Sequence, residues 1–113
     1  MIDTDLDATI AEWIAAMNSH DAARYLAYFT DDAVLDDPSV GERFEGREGI
    51  ADYYERYFIG YHTTTRLVSI APQGDLLRIA VDFTGDFPGG QTGGVFDVRF
   101  DDGKIAFIHA DLT

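Results

Sequence analysis

Apolar residues in the first half of the chain recur at helical spacing, whereas those in the second half alternate at period two. Leu6, Ile10, Trp13, Ile14 and Met17 predict a first amphipathic helix, with Asp3 or Thr4 available as its cap. Asn18-Ser19-His20-Asp21 interrupts that pattern and supplies caps for a short second helix, whose buried side is Ala22, Tyr25, Leu26 and Phe29. The stretch from Phe29 to Pro38 then reads as a helix running into a short extended segment that stops at the proline. The glycine-bearing stretch from Gly41 to Gly46 predicts a loop. A third helix follows from about Ile50 to Phe58, with Ile50, Tyr53, Tyr54, Tyr57 and Phe58 on one broad aromatic face.

Strand patterns occupy the remainder. His62 to Ala71 is the first strand, and Pro72-Gln73-Gly74-Asp75 is its turn. Leu77, Ile79, Val81 and Phe83 alternate with Arg78, Ala80, Asp82 and Thr84, and Phe96, Val98 and Phe100 alternate with Asp97, Arg99 and Asp101. On this pattern Phe96 points inward and Asp97 outward. The segment Gly89-Gly90-Gln91-Thr92-Gly93-Gly94 lacks the lysine and helix of a phosphate loop and reads as a hairpin with a flexible strand start. Asp101-Asp102-Gly103-Lys104 signals a tight hairpin into a last strand, Ile105 to Leu112. Three helices before an antiparallel meander predict one α+β domain over residues 1–113, with the helices covering one face of a strongly curved sheet.

Composition narrows the partners. The 113 residues carry 46% hydrophobic and 26% charged side chains, an ordinary globular balance. There are 21 acidic residues against 8 basic ones, for a formal charge of −13, and Lys104 is the only lysine. Without a basic cluster, neither a nucleic acid nor an anionic membrane surface is an expected partner. Cysteine is absent, so no disulfide framework or thiolate chemistry is available. The acidic N-terminus does not resemble a secretion signal and no apolar run approaches bilayer length, so the expectation is a cytoplasmic protein.

The candidate chemistry centres on Asp37. Pro38 holds it at an element edge between an apolar helix and an aromatic-rich one. Among aromatic rings its charged form would be disfavoured and its basicity would rise toward that of a general base. The alternative is a solvated turn with the Asp side chain bonded to local backbone. His62 and His109 lack any metal-ligand spacing, and no metal or cofactor is expected. His109 sits among Phe107, Ile108 and Ala110, where inward and outward faces are hard to tell apart, and is read as structural or interfacial.

The order of these features resembles the cystatin-like α+β family that includes nuclear transport factor two, the SnoaL-like polyketide cyclases, scytalone dehydratase and bacterial steroid delta-isomerase. Trp13 to Asp52 carries most of the likeness: an aromatic helix, a His-Asp break, Tyr28-Phe29-Thr30-Asp31-Asp32-Ala33-Val34, Asp37-Pro38, then Phe44-Glu45-Gly46-Arg47-Glu48-Gly49-Ile50. Asn18, Asp21, Phe29, Asp32, Ala33, Gly46 and Ile50 are the signposts, and Asp102-Gly103-Lys104-Ile105 resembles the family's last hairpin.

The nearest motif match is to the steroid isomerases. The resemblance implies that Asp37 stands at their catalytic base, Trp13 at their oxyanion-donating tyrosine, and Tyr54 at a supporting tyrosine. Their second donor, a protonated Asp, falls on Phe96, with Asp97 one residue away and therefore on the opposite face unless a bulge intervenes. Losing one oxyanion donor costs roughly 3–4 kcal/mol in rate, so steroid isomerisation itself is disfavoured. Trp13 reads as plain core ahead of a pocket-lining indole, which satisfies the same periodicity, and Tyr54 is the expected partner of Asp37.

Two functions are then expected to compete. One is a cofactor-free isomerase, cyclase or dehydratase acting on a compact hydrophobic carbonyl compound, with Asp37 as base and Trp13 and Tyr54 beside it. Its pocket would be lined by Met17, Tyr53, Phe58, Val81, Phe83, Phe96, Val98 and Ile108. The other is a non-catalytic module of the same fold that binds a small ligand or a protein. The resemblance also implies a homodimer paired through the sheet.

Overall fold

The change of period in the sequence coincides with the start of the four consecutive strands that end the chain. The computed structural model describes the backbone of residues 2–113 and the side chains of residues 6–113. Its elements are α1 (Ile2–Asn18), α2 (Ala22–Leu26), β1 (Phe29–Asp37), β2 (Glu42–Glu45), α3 (Gly46–Tyr54), a π-helical turn (Glu55–Ile59), β3 (Thr64–Gln73), β4 (Leu76–Thr84), β5 (Gln91–Asp101) and β6 (Lys104–Leu112). The caps expected at Asp3 or Thr4 fall outside the residues whose side chains are described.

The helices do not form one N-terminal block as expected. Two strands, β1 and β2, come between α2 and α3. Phe29 opens β1 rather than closing the second helix, and the expected loop at Gly41–Gly46 contains the four-residue strand β2. Both differences have one cause. β1 is a nine-residue strand set between β6 and β2, and its pairing with β2 recruits the polar run Glu42-Arg43-Phe44-Glu45 as an edge. Only Phe44 of that run is buried, which leaves little hydrophobic alternation to read.

The six strands form one curved sheet in the order β2-β1-β6-β5-β4-β3. The strands β3 to β6 form the antiparallel meander expected, but β1 joins them parallel to β6, so the sheet as a whole is mostly rather than wholly antiparallel. Register shifts between Leu67 and Ser69 in β3 and between Arg99 and Phe100 in β5 help it bend. The helices and π-turn cover its inner face, where Ile10, Trp13, Tyr25, Phe29, Ile50 and Tyr54 meet Leu35, Ile79, Phe96 and Ile108. The Asn18 amide ties the end of α1 to edge strand β3. Its Nδ2 donates to the Thr65 carbonyl at 2.9 Å, and its Oδ1 accepts from the Thr65 amide at 2.7 Å. Asp21 caps α2 by accepting from the Arg24 amide.

Strand parity is as read from the alternation. Phe96 and Val98 are buried in the core, while Asp97 faces the other side and pairs with Arg78 through two bonds of 2.8 and 2.9 Å. A bulge does occur between β5 and β6, but its extra residue, Ala106, is in β6 and it lies beyond Asp97, so it does not return that carboxylate to the inner face. His109 lies opposite both Asp97 and Asp36 on this outer face. The bonds from Arg78 hold the Asp97 carboxyl below the usual carboxylate range. No helix among the described residues is long and apolar enough to cross a membrane.

Candidate functional site

Asp37 is the last residue of β1, and its side chain is only 5% exposed. Ser39, just beyond Pro38, donates to Oδ1 from its amide at 3.0 Å and from its hydroxyl at 2.5 Å. The Tyr53 hydroxyl donates to Oδ2 at 3.0 Å. Asp37 has the local turn bonds of one sequence reading and the burial against the aromatic helix of the other, so the turn is not the solvated one that the first reading described.

Tyr53 takes the place expected of Tyr54. Successive helical residues point about 100° apart, so these neighbours serve different regions. Tyr53 turns toward Asp37 and packs on Phe44, Tyr57 and Phe58. Burial first, and then the charge of Asp37, push its hydroxyl well above the ordinary tyrosine value, which keeps it a donor. Tyr54 turns toward α1. Its hydroxyl donates to the Met17 carbonyl at 2.8 Å, and its ring stacks on Tyr25 at 4.1 Å. It thereby satisfies one of the last carbonyls of α1, which have no partner within the helix.

Trp13 belongs to the same sealed core. It is fully buried, stacks on Tyr25 and meets the Phe96 ring edge-on at 5.3 Å. Its indole N–H has no hydrogen-bond partner in the structure. Neither Trp13 nor Tyr54 lines the cavity that holds Asp37.

That cavity has a volume of about 420 Å³. Its wall is Asp37, Ser39, Val40, Tyr53, Tyr57, Phe58, Tyr61, Thr63, Phe83, Phe87, Pro88, Gln91, Thr92 and Leu112. Of the lining expected from sequence, Tyr53, Phe58 and Phe83 are on it. Met17, Val81, Phe96, Val98 and Ile108 point to the same side of the sheet but pack in the core away from the cavity. Phe83 reaches its place because Gly94 lies beneath it: a Cβ there would come within 2.4 Å of the Phe83 ring. The β4–β5 loop forms the rim, with the Asp86 amide donating to the Tyr61 carbonyl at 2.7 Å and Phe87 edge-on to Tyr61.

The rim residues Val40, Tyr61, Phe87 and Pro88 carry no periodicity, since they lie in connections. The available signal was two aromatic residues placed beside turn formers, Gly60-Tyr61 and Phe87-Pro88-Gly89. Among the described residues no group of three or more His, Asp or Glu side chains is placed to hold a metal ion.

Proteins of known structure share this architecture. A candidate polyketide cyclase from Sinorhizobium meliloti superposes with a TM-score of 0.81 at 20% identity, covering 91% of this chain and 93% of that one. A candidate ketosteroid isomerase from Kribbella flavida gives 0.81 at 15% identity, over 97% of this chain and 78% of its own. An uncharacterised cystatin-fold protein from Novosphingobium aromaticivorans gives 0.75 at 22% identity, over 94% and 96%. At these identities the likeness is one of fold. No curated protein matches the chain in sequence. The SnoaL-like domain model, however, matches residues 10–108, from the middle of α1 to the middle of β6, and the chain belongs to the SnoaL-like family.

Proposed function

We propose that the cavity is an active site in which Asp37 takes a proton from a carbon next to a carbonyl group of a compact hydrophobic substrate. The reaction would be an isomerisation, cyclisation or dehydration. One observation carries this reading: a buried carboxylate on the wall of a largely apolar cavity, aimed by three donors. Oδ2 uses one of its lone pairs on Tyr53 and keeps acceptor capacity for a substrate proton. Tyr53 is then a positioning residue, and Ser39 fixes the other oxygen. Membership of the SnoaL-like family, and the reaction types named for two relatives of this fold, agree with that reaction class.

The test is exchange of α-protons for deuterium across a set of compact cyclic ketones such as 2-indanone. Wild-type protein is expected to accelerate exchange for at least one ketone, and Asp37→Asn to reduce that acceleration about 100-fold or more. Equal rates for the two proteins across the set would overturn the reading.

A second reading, a binding module without chemistry, is favoured by the way Ser39 occupies Oδ1 twice, as an anchoring carboxylate would be held. It predicts saturable ligand binding with no exchange. For assembly, we propose a homodimer through the outer sheet face, where Arg66, Arg78, Asp97 and Arg99 lie among Val95 and Phe107. Such an interface would bury at least about 1,000 Å². Sedimentation at micromolar concentration showing only a 12.5 kDa species would contradict it.

A further inference from the structure

The charge of the cavity wall is one-sided. Asp37 is the only acidic residue on it, and no Arg, Lys or His lines it. The donors to its carboxylate, Ser39 and Tyr53, are neutral, so within the cavity the negative charge has no counter-ion. The nearest aromatic-bound cation, Arg56, is outside the lining and is already held by Glu42 and Asp52.

Around this carboxylate stand six aromatic rings: Tyr53, Tyr57, Phe58, Tyr61, Phe83 and Phe87. They are not stacked in one direction. Tyr53 and Tyr57 are inclined at 54°, Phe58 and Phe83 at 81°, and Tyr61 and Phe87 at 82°, so the rings of the wall lie in several planes. Ring faces carry negative potential and attract cations, most strongly where water is excluded. One ring already shows that use from outside, since the Arg56 guanidinium sits 5.3 Å from the Tyr57 centroid. The whole molecule adds to the effect, because a formal charge of −13 raises the local concentration of small cations.

We propose that the ligand of this cavity carries a positively charged nitrogen, an organic ammonium group held between the ring faces and the Asp37 carboxylate. This rests on the cavity being the functional site, as above, but not on proton transfer occurring there. It also bears on the chemistry. A substrate with a cationic nitrogen near its reacting carbon would have the developing negative charge offset within itself. The cavity, with no cationic side chain on its wall, provides no such charge.

The test compares choline with 3,3-dimethylbutan-1-ol, which replaces the charged nitrogen by carbon at nearly the same shape. Binding is followed by NMR of the ring resonances. Choline is expected to bind at least about tenfold more tightly, shifting Tyr53, Tyr57 and Phe83 signals. Asp37→Asn should remove most of that preference. Phe87→Leu, at the half-buried rim, should weaken choline severalfold and more than it weakens the alcohol, which keeps the test decisive should Asp37→Asn fold poorly. Equal affinity, tighter binding of the alcohol, or no saturable choline binding would overturn the inference. If ketone exchange depends on Asp37 while choline fails to bind, the inference falls and the proton-transfer reading stands. If choline binds as described while no ketone exchanges, the inference stands and that reading falls.

Discussion

Tyr53 and Tyr54 are adjacent in sequence and belong to different regions of the molecule. Tyr54 lies in a sealed aromatic core with Trp13, Tyr25, Phe29 and Phe96, where its hydroxyl finishes the end of α1. Tyr53 faces an open cavity, where its hydroxyl holds a carboxylate. Both regions are built from the same residue types on the same side of one sheet. In the core the Tyr54 hydroxyl is used up on backbone, whereas the cavity leaves a carboxylate oxygen with capacity to spare. Aromatic content alone therefore does not mark the site; the fate of the polar atom does.

The sharpest way to break that contrast is to delete the core's largest side chain. Trp13→Ala should cost about 3–5 kcal/mol of stability, because a fully buried indole leaves a cavity its neighbours cannot fill. Chemical denaturation measures it. A loss below about 1 kcal/mol would show that Trp13 is not the structural centre of the core.

The tyrosine pair provides the next test. Tyr54→Phe leaves the Met17 carbonyl without its donor inside the core and should cost about 1–3 kcal/mol. Tyr53→Phe should cost less, since Ser39 still supplies two bonds to Asp37 and the cavity can admit water. It should instead change the rate of ketone exchange. A larger stability loss for Tyr53→Phe than for Tyr54→Phe would reverse the assignment of the two regions.

How far the sequence could be read follows the same division. The amphipathic face of α1, the period-two strands, the Asp102-Gly103 hairpin and the outward parity of Asp97 were all legible, because each repeats a local period or a turn rule. Asp37 was legible from its position before Pro38. The choice between Tyr53 and Tyr54 was not, since it depends on a single step of helical rotation just ahead of a π-helical turn that changes the phase of the face. Nor could period two separate Phe83 from Phe96 or Val81. All three point inward, and only tertiary packing decides which of them reaches the cavity. The edge strand β2 carries one buried residue in four, too few for a pattern.

A smaller effect concerns the floor of the cavity. Gly94→Ala would place a methyl group against the Phe83 ring and force that ring to move. Ligand affinity should fall severalfold with a modest loss of stability, and unchanged affinity would show that Phe83 does not shape the site.

The smallest effect belongs to the outer face. Arg78 holds the Asp97 carboxyl below its ordinary value, so the pair adds stability that is fully present above the unfolded carboxyl value of about 3.9. That increment is lost as pH falls through the lowered folded value. Asp97→Asn should therefore narrow the stability difference between neutral and strongly acidic solution, as read from denaturation midpoints. An unchanged difference would mean the pair is not formed in solution. Neither result should alter ligand binding, because Asp97 faces away from the cavity.

The most direct measurement of where the site lies is the ring-carbon NMR spectrum of tyrosine-labelled protein during titration with 2-indanone. A site at Asp37 predicts that Tyr53, Tyr57 and Tyr61 signals move together along one saturable curve, while Tyr25 and Tyr54 stay fixed. Movement of Tyr54 and Tyr25 with Tyr53 unmoved would place the ligand inside the core around Trp13, and would contradict the account.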